Sequence, residues 1–336
     1  MRAPFIVAEI SANHGNDIDV VKKSIVKAKE IGCDAVKIQT YRPDTITIDC
    51  NNQYFQINTG TIWDGTTLFD LYSKAYMPWE WHEELFEFSR EKGITLFSTP
   101  FDFSAVDLLE KCENPIYKIA SFEITDIPLI EYAASTGKPM VISTGIATEE
   151  EISEAVDACK RQGNDDVCLL KCTSEYPAKE KDANLNTMID MKEKYNCKIG
   201  LSDHTEGFYV PMIATALGAT MIEKHFVIDK TMDSPDASFS MGPDEFAEMI
   251  RNVRRTCHIL GDVKYETSLK SEGSRKYARS LFVIKDVKKG DAVSDENVRS
   301  IRPSNGLSPK YLPDVYGKRF VKDVKRGTPL EFLLIE

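Results

Sequence analysis

ITLFSTPFDFSAVDLLEKCENPIYKIASFEITDIPLIEYAASTGKPMVISTG, residues 94–145, states one phrase twice and begins it a third time. A short apolar run ending in polar residues (TLFSTPF, 95–101) gives way to a helix-like stretch, the phrase repeats from YKIAS (117–121), and it restarts at PMVISTG (139–145). Strands this continuously apolar belong to a parallel sheet covered on both faces by helices. Working outward, FIVAEIS (5–11) and AVKIQTY (35–41) precede the stretch, while VCLLKCTS (167–174), KIGLSDH (198–204) and MIEKHFV (221–227) follow it. Helical patterns at Val20–Ile31, Trp81–Lys92, Thr148–Gln162 and Phe246–Leu260 lie between runs, and Gly32, Gly93, Gly137, Gly163 and Gly218 stop helices ahead of strands. Eight such units within residues 1–262 have the count and size of a (β/α)8 TIM barrel, an α/β fold. An open doubly wound sheet would also alternate, but with fewer strands and a Gly-rich phosphate turn that this sequence lacks.

One interval is irregular. The stretch Arg42–Trp81 holds all three tryptophans, Trp63, Trp79 and Trp81, and reads as a long loop following a strand, hence over the C-terminal mouth of the barrel. Beyond Asp262 a polar stretch, 263–278, reads as a linker, and residues 279–336 as a small, mostly β domain of short strands and Lys-Gly turns. From Lys270 onward the net charge is +6, against −17 before it, so a basic domain that can lend cations to an anionic ligand follows an acidic body.

Composition narrows the class. With 336 residues, 42% hydrophobic and 28% charged, the chain buries a sizeable core. The net charge of −11 argues against a nucleic-acid binder. No apolar run approaches the roughly 18–20 residues that span a bilayer, and the N-terminus lacks a basic-then-apolar signal, so no membrane association and a cytoplasmic location are expected. Cys33, Cys50, Cys112, Cys159, Cys168, Cys172, Cys197 and Cys257 form no CxxC pair and read as free thiols, with Cys168 and Cys172 as buried packing.

On a barrel the C-terminal strand ends face the site. Polar residues belong there in any case, because strand ends meet solvent. What solvent does not explain is a lysine inside each of two apolar strands, Lys37 and Lys118. Converging with Ser121, Ser143 and Ser202, they form a candidate phosphate or carboxylate cradle, since lysine supplies a point charge and hydroxyls the remaining donors. His204 and His225 end the seventh and eighth runs, so neighbouring strands bring two imidazoles to one wall. With Glu9, Glu223 and Asp236 in reach and no thiolate, they suit Mn2+ or a similar ion acting as a Lewis acid on a carbonyl oxygen. His14, His82 and His258 read as structural, His258 on the surface.

The ordered series AEISANHG, VKIQTY, FSTPFD, YKIASFE, ISTGIAT, LLKCTSEYP, GLSDHT and EKHF resembles the sialic acid synthase family over essentially the whole chain. RSLFVIKDVKKGD and IRPSNGL are similar to that family's antifreeze-like (SAF) C-terminal domain, and IWDGTTLFDLYSKAYMPWEWHEELF to its pseudaminic acid branch. The resemblance implies condensation of phosphoenolpyruvate with an amino-sugar aldehyde to a nine-carbon 2-keto acid and phosphate. For that branch the acceptor is 2,4-diacetamido-2,4,6-trideoxy-altrose; N-acetylneuraminate or legionaminate synthesis from another amino sugar is the alternative. It implies His204 and His225 as ligands of a divalent metal, Mn2+ ahead of Mg2+ or Co2+, and Glu9 as the carboxylate that handles the attacking water. It implies Lys37, Thr99, Lys118, Ser121, Ser143, Ser174 and Ser202 for phosphoenolpyruvate, with Ser174 standing where some relatives carry Asn. Gln39, Phe101, Glu123, Tyr176 and Asp236 fall to the sugar side, and Arg302 to an arginine that crosses a domain-swapped homodimer, the C-terminal domain lying over the partner's barrel. The insertion at 42–81 has no close counterpart in the sialic acid branch, so the resemblance assigns it no sugar contacts. Two rivals remain: a Schiff-base aldolase using Lys118, and a non-enzymatic ice- or sugar-binding protein that leaves both strand lysines idle.

Overall fold

Eight parallel strands close on themselves: β1 (Phe5–Glu9), β2 (Ala35–Thr40), β3 (Thr95–Pro100), β4 (Tyr117–Ile119), β5 (Met140–Ser143), β6 (Val167–Cys172), β7 (Lys198–Asp203) and β8 (Met221–His225). Each hydrogen-bonds to the next and β8 returns to β1, giving the TIM barrel. The computed structural model of the chain describes residues 3–58, 60, 63–266 and 268–336. Each apolar run of the sequence contains its strand, and each strand ends one or two residues before its run does.

Strand alternation builds the barrel in layers. Val7, Ala35, Phe97, Val141, Cys168, Leu170 and Met221 fill its interior. The alternate residues, among them Ile6, Ala8, Val36, Ile38, Leu96, Tyr117, Ile142, Leu169 and Ile222, pack outward against the helices in the main core. One step up the strands from the interior plug come Glu9, Lys37, Lys118 and Glu223, so charge rests on an apolar floor. At the seam, Glu9 registers with Lys37 of β2 and with His225 of β8. Gly200 is required by close approach: a Cβ there would lie 2.6 Å from the Met221 carbonyl oxygen and 2.5 Å from Leu170 Cδ2.

The covering helices follow sequence signals. Ile18–Ile31 is capped by Asp17, which accepts from Asp19 N–H, and ends at Gly32 in the left-handed region. Glu149–Arg161 carries a capping box of Thr148 and Glu151.

Two stretches carry helices that the sequence reading did not place. The stretch Arg42–Trp81 is not simply a long loop, because it holds a short helical turn, Pro43–Ile46, and a helix, Leu68–Ala75, whose N-cap Thr67 accepts from Asp70 N–H. The neutral His14 ring fastens that helix: its Nδ1 accepts from Asn16 N–H, leaving Nε2–H to donate to the Ala75 carbonyl at 3.1 Å. The polar stretch 263–278 likewise contains a helix, Leu269–Arg275, capped by Ser268.

The chain divides into two units after Gly261. The second pairs β9 (Ser280–Val283) antiparallel with β10 (Val298–Ile301) and has its own core of Leu281, Val283, Val298, Val315, Phe320 and Leu330. All eight cysteines are free. No helix among the described residues is long and apolar enough to cross a membrane.

Candidate active site

The two strand lysines meet. Lys37 Nζ lies 2.5 Å from Glu9 Oε2, 3.1 Å from Thr99 Oγ1 and 3.6 Å from Glu223 Oε1, and Lys118 Nζ lies 3.5 Å from the same Glu223 oxygen. Ser202 donates to that oxygen at 3.3 Å. Glu223 is therefore the hub of the charged layer. The sequence places it only within reach of the two histidines; its inward position, two residues before His225 on β8, was the signal for its pairing with the lysines.

Burial sets the protonation balance. Glu9 is 1% exposed, and desolvation lifts its carboxyl to about 7, with Lys37 opposing and Glu223 adding to the rise. Lys37 is held above its ordinary value: burial works against the ammonium, but Glu223 and Glu9 outweigh it. Burial lowers Lys118 despite Glu223. Glu223 is lowered, because Lys118 and Lys37 overcome its own desolvation. Since Glu9's folded value lies above its unfolded one, it favours folding fully below about pH 4.5, and this contribution is lost as pH rises through 7. If the ionised carboxylate is the working form, kcat/KM is expected to fall on the acid side with a limb near pH 7. A profile flat down to pH 5.5 would remove Glu9 from that role.

The hydroxyl side closes around Gly145. Ser174 donates to Ser121 Oγ at 2.9 Å, which also accepts from Ile146 N–H at 2.9 Å. A Cβ on Gly145 would come within 2.2 Å of Ser174 Oγ and 2.7 Å of Ser121 Oγ, so this glycine keeps the hydroxyls together.

The imidazoles of His204 and His225 have ring centroids 5.3 Å apart. His204 Nδ1–H donates to the Thr173 carbonyl at 2.9 Å; burial works against its cation, but Cys172 and that carbonyl outweigh it and hold the ring above its ordinary value, so the Nε2 lone pair is exposed when the ring loses its proton. His225 is kept neutral by burial, reinforced by His204 and Lys37, and its buried Nδ1 has no hydrogen-bond partner, with Asp236 Oδ2 3.8 Å away. Cys172, read as packing, borders this wall with Sγ 4.0 Å from His204 Nδ1. Among the described residues no three His, Cys, Asp or Glu side chains form a closed metal cluster. His225, held neutral, and His204 once its ring has lost a proton fit an ion whose other positions are taken by water and substrate, not a closed structural site.

Above the wall opens a cavity of about 400 Å³. Gln39, Phe101, Ser121, Glu123, Tyr176, His225 and Asp236 line it, as do Ile46, Ile57, Trp63, Leu68, Leu71, Tyr72 and Ala75 from the 42–81 stretch. Tyr176 stacks on His204 with centroids 4.3 Å apart. Burial lifts the Glu123 carboxyl to about 7, with Lys118 opposing. Glu9 Oε1, Glu223 Oε2, Ser143 Oγ, His225 Nδ1, Glu123 Oε2 and Trp63 Nε1 are buried without hydrogen-bond partners, and all belong to this mouth. Buried polar atoms are rarely left so unless a ligand meets them.

Nearly every sequence-predicted site residue is thus brought together. Arg302 belongs to the second unit: it lies just after β10 and is exposed. Asp203 and Lys224, polar strand ends that would complete a ring around the mouth, face outward and pair with each other at 2.5 Å. His82 is buried and bonded to Thr40 and the Pro78 carbonyl, while His258 is exposed.

A barrel with paired lysines, a hydroxyl cluster and two imidazoles beneath a cavity defines an enzyme site for an anionic substrate and an organic co-substrate. Comparison with known proteins narrows the class. Residues 24–265 match the NeuB family and residues 278–335 the SAF domain, and the chain belongs to the NeuB family. It is similar to the Helicobacter pylori protein named pseudaminic acid synthase, 46% identical over 331 residues, covering 98% of this chain and 97% of that one. A Campylobacter jejuni N,N'-diacetyllegionaminic acid synthase is 34% identical over 329 residues, covering 97% and 98%. Among solved structures, the N-acetylneuraminic acid synthetase of Leptospira borgpetersenii in complex with citrate superposes with a TM-score of 0.71 at 33% identity, covering 81% of this chain and 90% of that one.

Proposed function

We propose that this protein condenses phosphoenolpyruvate with 2,4-diacetamido-2,4,6-trideoxy-L-altrose and water to give pseudaminic acid and phosphate. The observation that carries the reading is a buried, lysine-bearing floor beneath a half-apolar cavity, in a chain 46% identical to a pseudaminic acid synthase. Its identity to the legionaminic acid synthase is lower, at 34%.

In this reading Lys37 and Lys118 hold the anionic ends of phosphoenolpyruvate, with Thr99, Ser121, Ser143, Ser174 and Ser202 completing the donors. Both lysines already face carboxylates, so the bound anion takes over contacts that Glu223 and Glu9 make in the free protein. His204 and His225 would hold a divalent metal, Mn2+ ahead of Mg2+ or Co2+, which when bound supplies Lewis-acid polarisation of the acceptor's carbonyl oxygen. The new bond joins C3 of phosphoenolpyruvate to the aldehyde carbon, whose oxygen takes up a proton. Glu9 orients the water that adds to C2, and breaking the C2–O bond to phosphate leaves the ketone. The chain's contribution is positioning and preorganised charge. Gln39, Phe101, Glu123, Tyr176 and Asp236 border the sugar. Arg302 reaches the partner's barrel in a homodimer, drawing on the positive charge of the C-terminal unit.

Phosphate release from phosphoenolpyruvate with Mn2+ tests the reading, each acceptor offered separately. Chelator-sensitive release with the trideoxy sugar and little with N-acetylmannosamine is expected. Release with N-acetylmannosamine alone would move the chain to the sialic acid branch. Lys118, whose ammonium burial disfavours, is the group an imine mechanism would use; the condensation proposed above forms no imine, so borohydride with a keto acid is expected to leave the protein mass unchanged.

A further inference from the structure

The cavity has two chemistries. Its barrel side offers Ser121, Glu123, His225 and Asp236; its outer side is the apolar face of the helix Leu68–Ala75. Leu68, Leu71, Tyr72 and Ala75 stand at positions i, i+3, i+4 and i+7, one stripe of an α-helix, and all four line the cavity. This stripe is held in place: His14 donates to the Ala75 carbonyl, and Tyr72 packs edge-on to Tyr41 with centroids 5.6 Å apart. Ile57 extends the wall, with Ile57 N–H bonded to the Thr66 carbonyl. Trp63 adds one polar feature, an indole Nε1–H that is buried without a partner.

We infer that this wall selects the acceptor: the stripe, with Ile57 and Trp63, takes a sugar whose end remote from the aldehyde is deoxygenated and N-acylated, and discriminates against a hydroxyl there. The inference rests on the function proposed above and names the part of the site that chooses between acceptors. A methyl group against Leu68, Leu71 and Ile57 leaves water for an apolar surface. A hydroxyl against Leu68, Leu71 and Ile57 would lose its water, and those three side chains offer no donor or acceptor to replace it. The Trp63 N–H supplies a donor for one acyl carbonyl oxygen, and Glu123 on the opposite side an acceptor for an amide N–H. The lysine floor plays no part in this choice, since it meets phosphoenolpyruvate whichever sugar is offered.

The test compares kcat/KM for the trideoxy acceptor and its 6-hydroxylated counterpart, read by phosphate release, in the wild type, Leu71→Asn, Leu71→Met and Ile57→Thr. An apolar pocket discriminates against one added hydroxyl by up to about 100-fold. The expected result is a wild-type preference of roughly 10- to 100-fold. Leu71→Asn and Ile57→Thr should each cut that ratio about tenfold or more, with KM for phosphoenolpyruvate unchanged and Leu71→Met keeping the ratio. A general loosening of the helix would lower both activities together and leave the ratio alone. An unchanged ratio in both polar variants, or no wild-type preference, overturns the inference while leaving the condensation intact. Release with neither sugar overturns the functional reading on which it rests.

Discussion

Glu9→Gln is expected to keep phosphoenolpyruvate binding and metal binding and to lose turnover by roughly 100- to 10,000-fold, the range a positioned acid or base contributes. The amide is nearly isosteric, so Lys37 keeps a carbonyl oxygen to face in place of the carboxylate oxygen now 2.5 Å away. What disappears, on the proposed mechanism, is the charge that would orient water and face the positive carbon formed at C2. Binding by calorimetry and phosphate release in single turnover separate the two effects. Turnover within tenfold of wild type would remove Glu9 from the chemistry. The same variant reports on Arg302: co-expressed with Arg302→Ala, it should recover part of the wild-type activity if the arginine serves the partner's barrel. Verified heterodimers without recovery would place both residues in one chain's site.

Asp203→Ala is expected to destabilise the fold by about 3–5 kcal/mol, the cost of leaving a buried charge unpaired. Asp203 and Lys224 are 3% and 2% exposed and lie 2.5 Å apart between the sheet and its helices. Lys224 also donates to the Thr205 carbonyl, and Asp203 accepts from both the amide and the hydroxyl of Thr205. Thr205 follows His204, so the pair also holds the chain that presents the imidazole. Chemical denaturation measures the loss, and Asp203→Ala combined with Lys224→Met should recover most of it, because no buried ammonium is then left without its counterion. A single-variant loss below about 1 kcal/mol, the scale of an exposed ion pair, would mean water reaches this site.

The barrel was legible because a parallel strand buried on both faces leaves a continuous apolar run, and eight such runs permit few other arrangements. Lys37 and Lys118 stood out because a charge inside such a run needs a reason. Glu223 was read only as lying within reach of the two histidines; its place between both lysines was not, since a carboxylate near a strand end is ordinary until strand alternation fixes the side it faces. The same alternation, applied from Glu223 and His225, turns Lys224 outward, so that pairing was readable in principle. The helix Leu68–Ala75 was harder. Its sequence, LFDLYSKA, is short and lies among turn residues, and what settles it is its fit over the mouth, where Tyr41 and His14 receive it. In the polar stretch beyond the barrel, the N-cap Ser268 was a local sign of a helix.

The row Lys37–Glu9–His225 lies across the seam where the first strand meets the last. A growing chain makes Glu9 at its outset and His225 only after seven further strands, so no unfinished chain carries both. On the mechanism proposed above, which needs both residues side by side, incomplete or partly unravelled molecules do not turn over the phosphate ester. Closure of the ring and competence for chemistry become a single all-or-none event, and restored turnover after denaturation counts finished molecules alone.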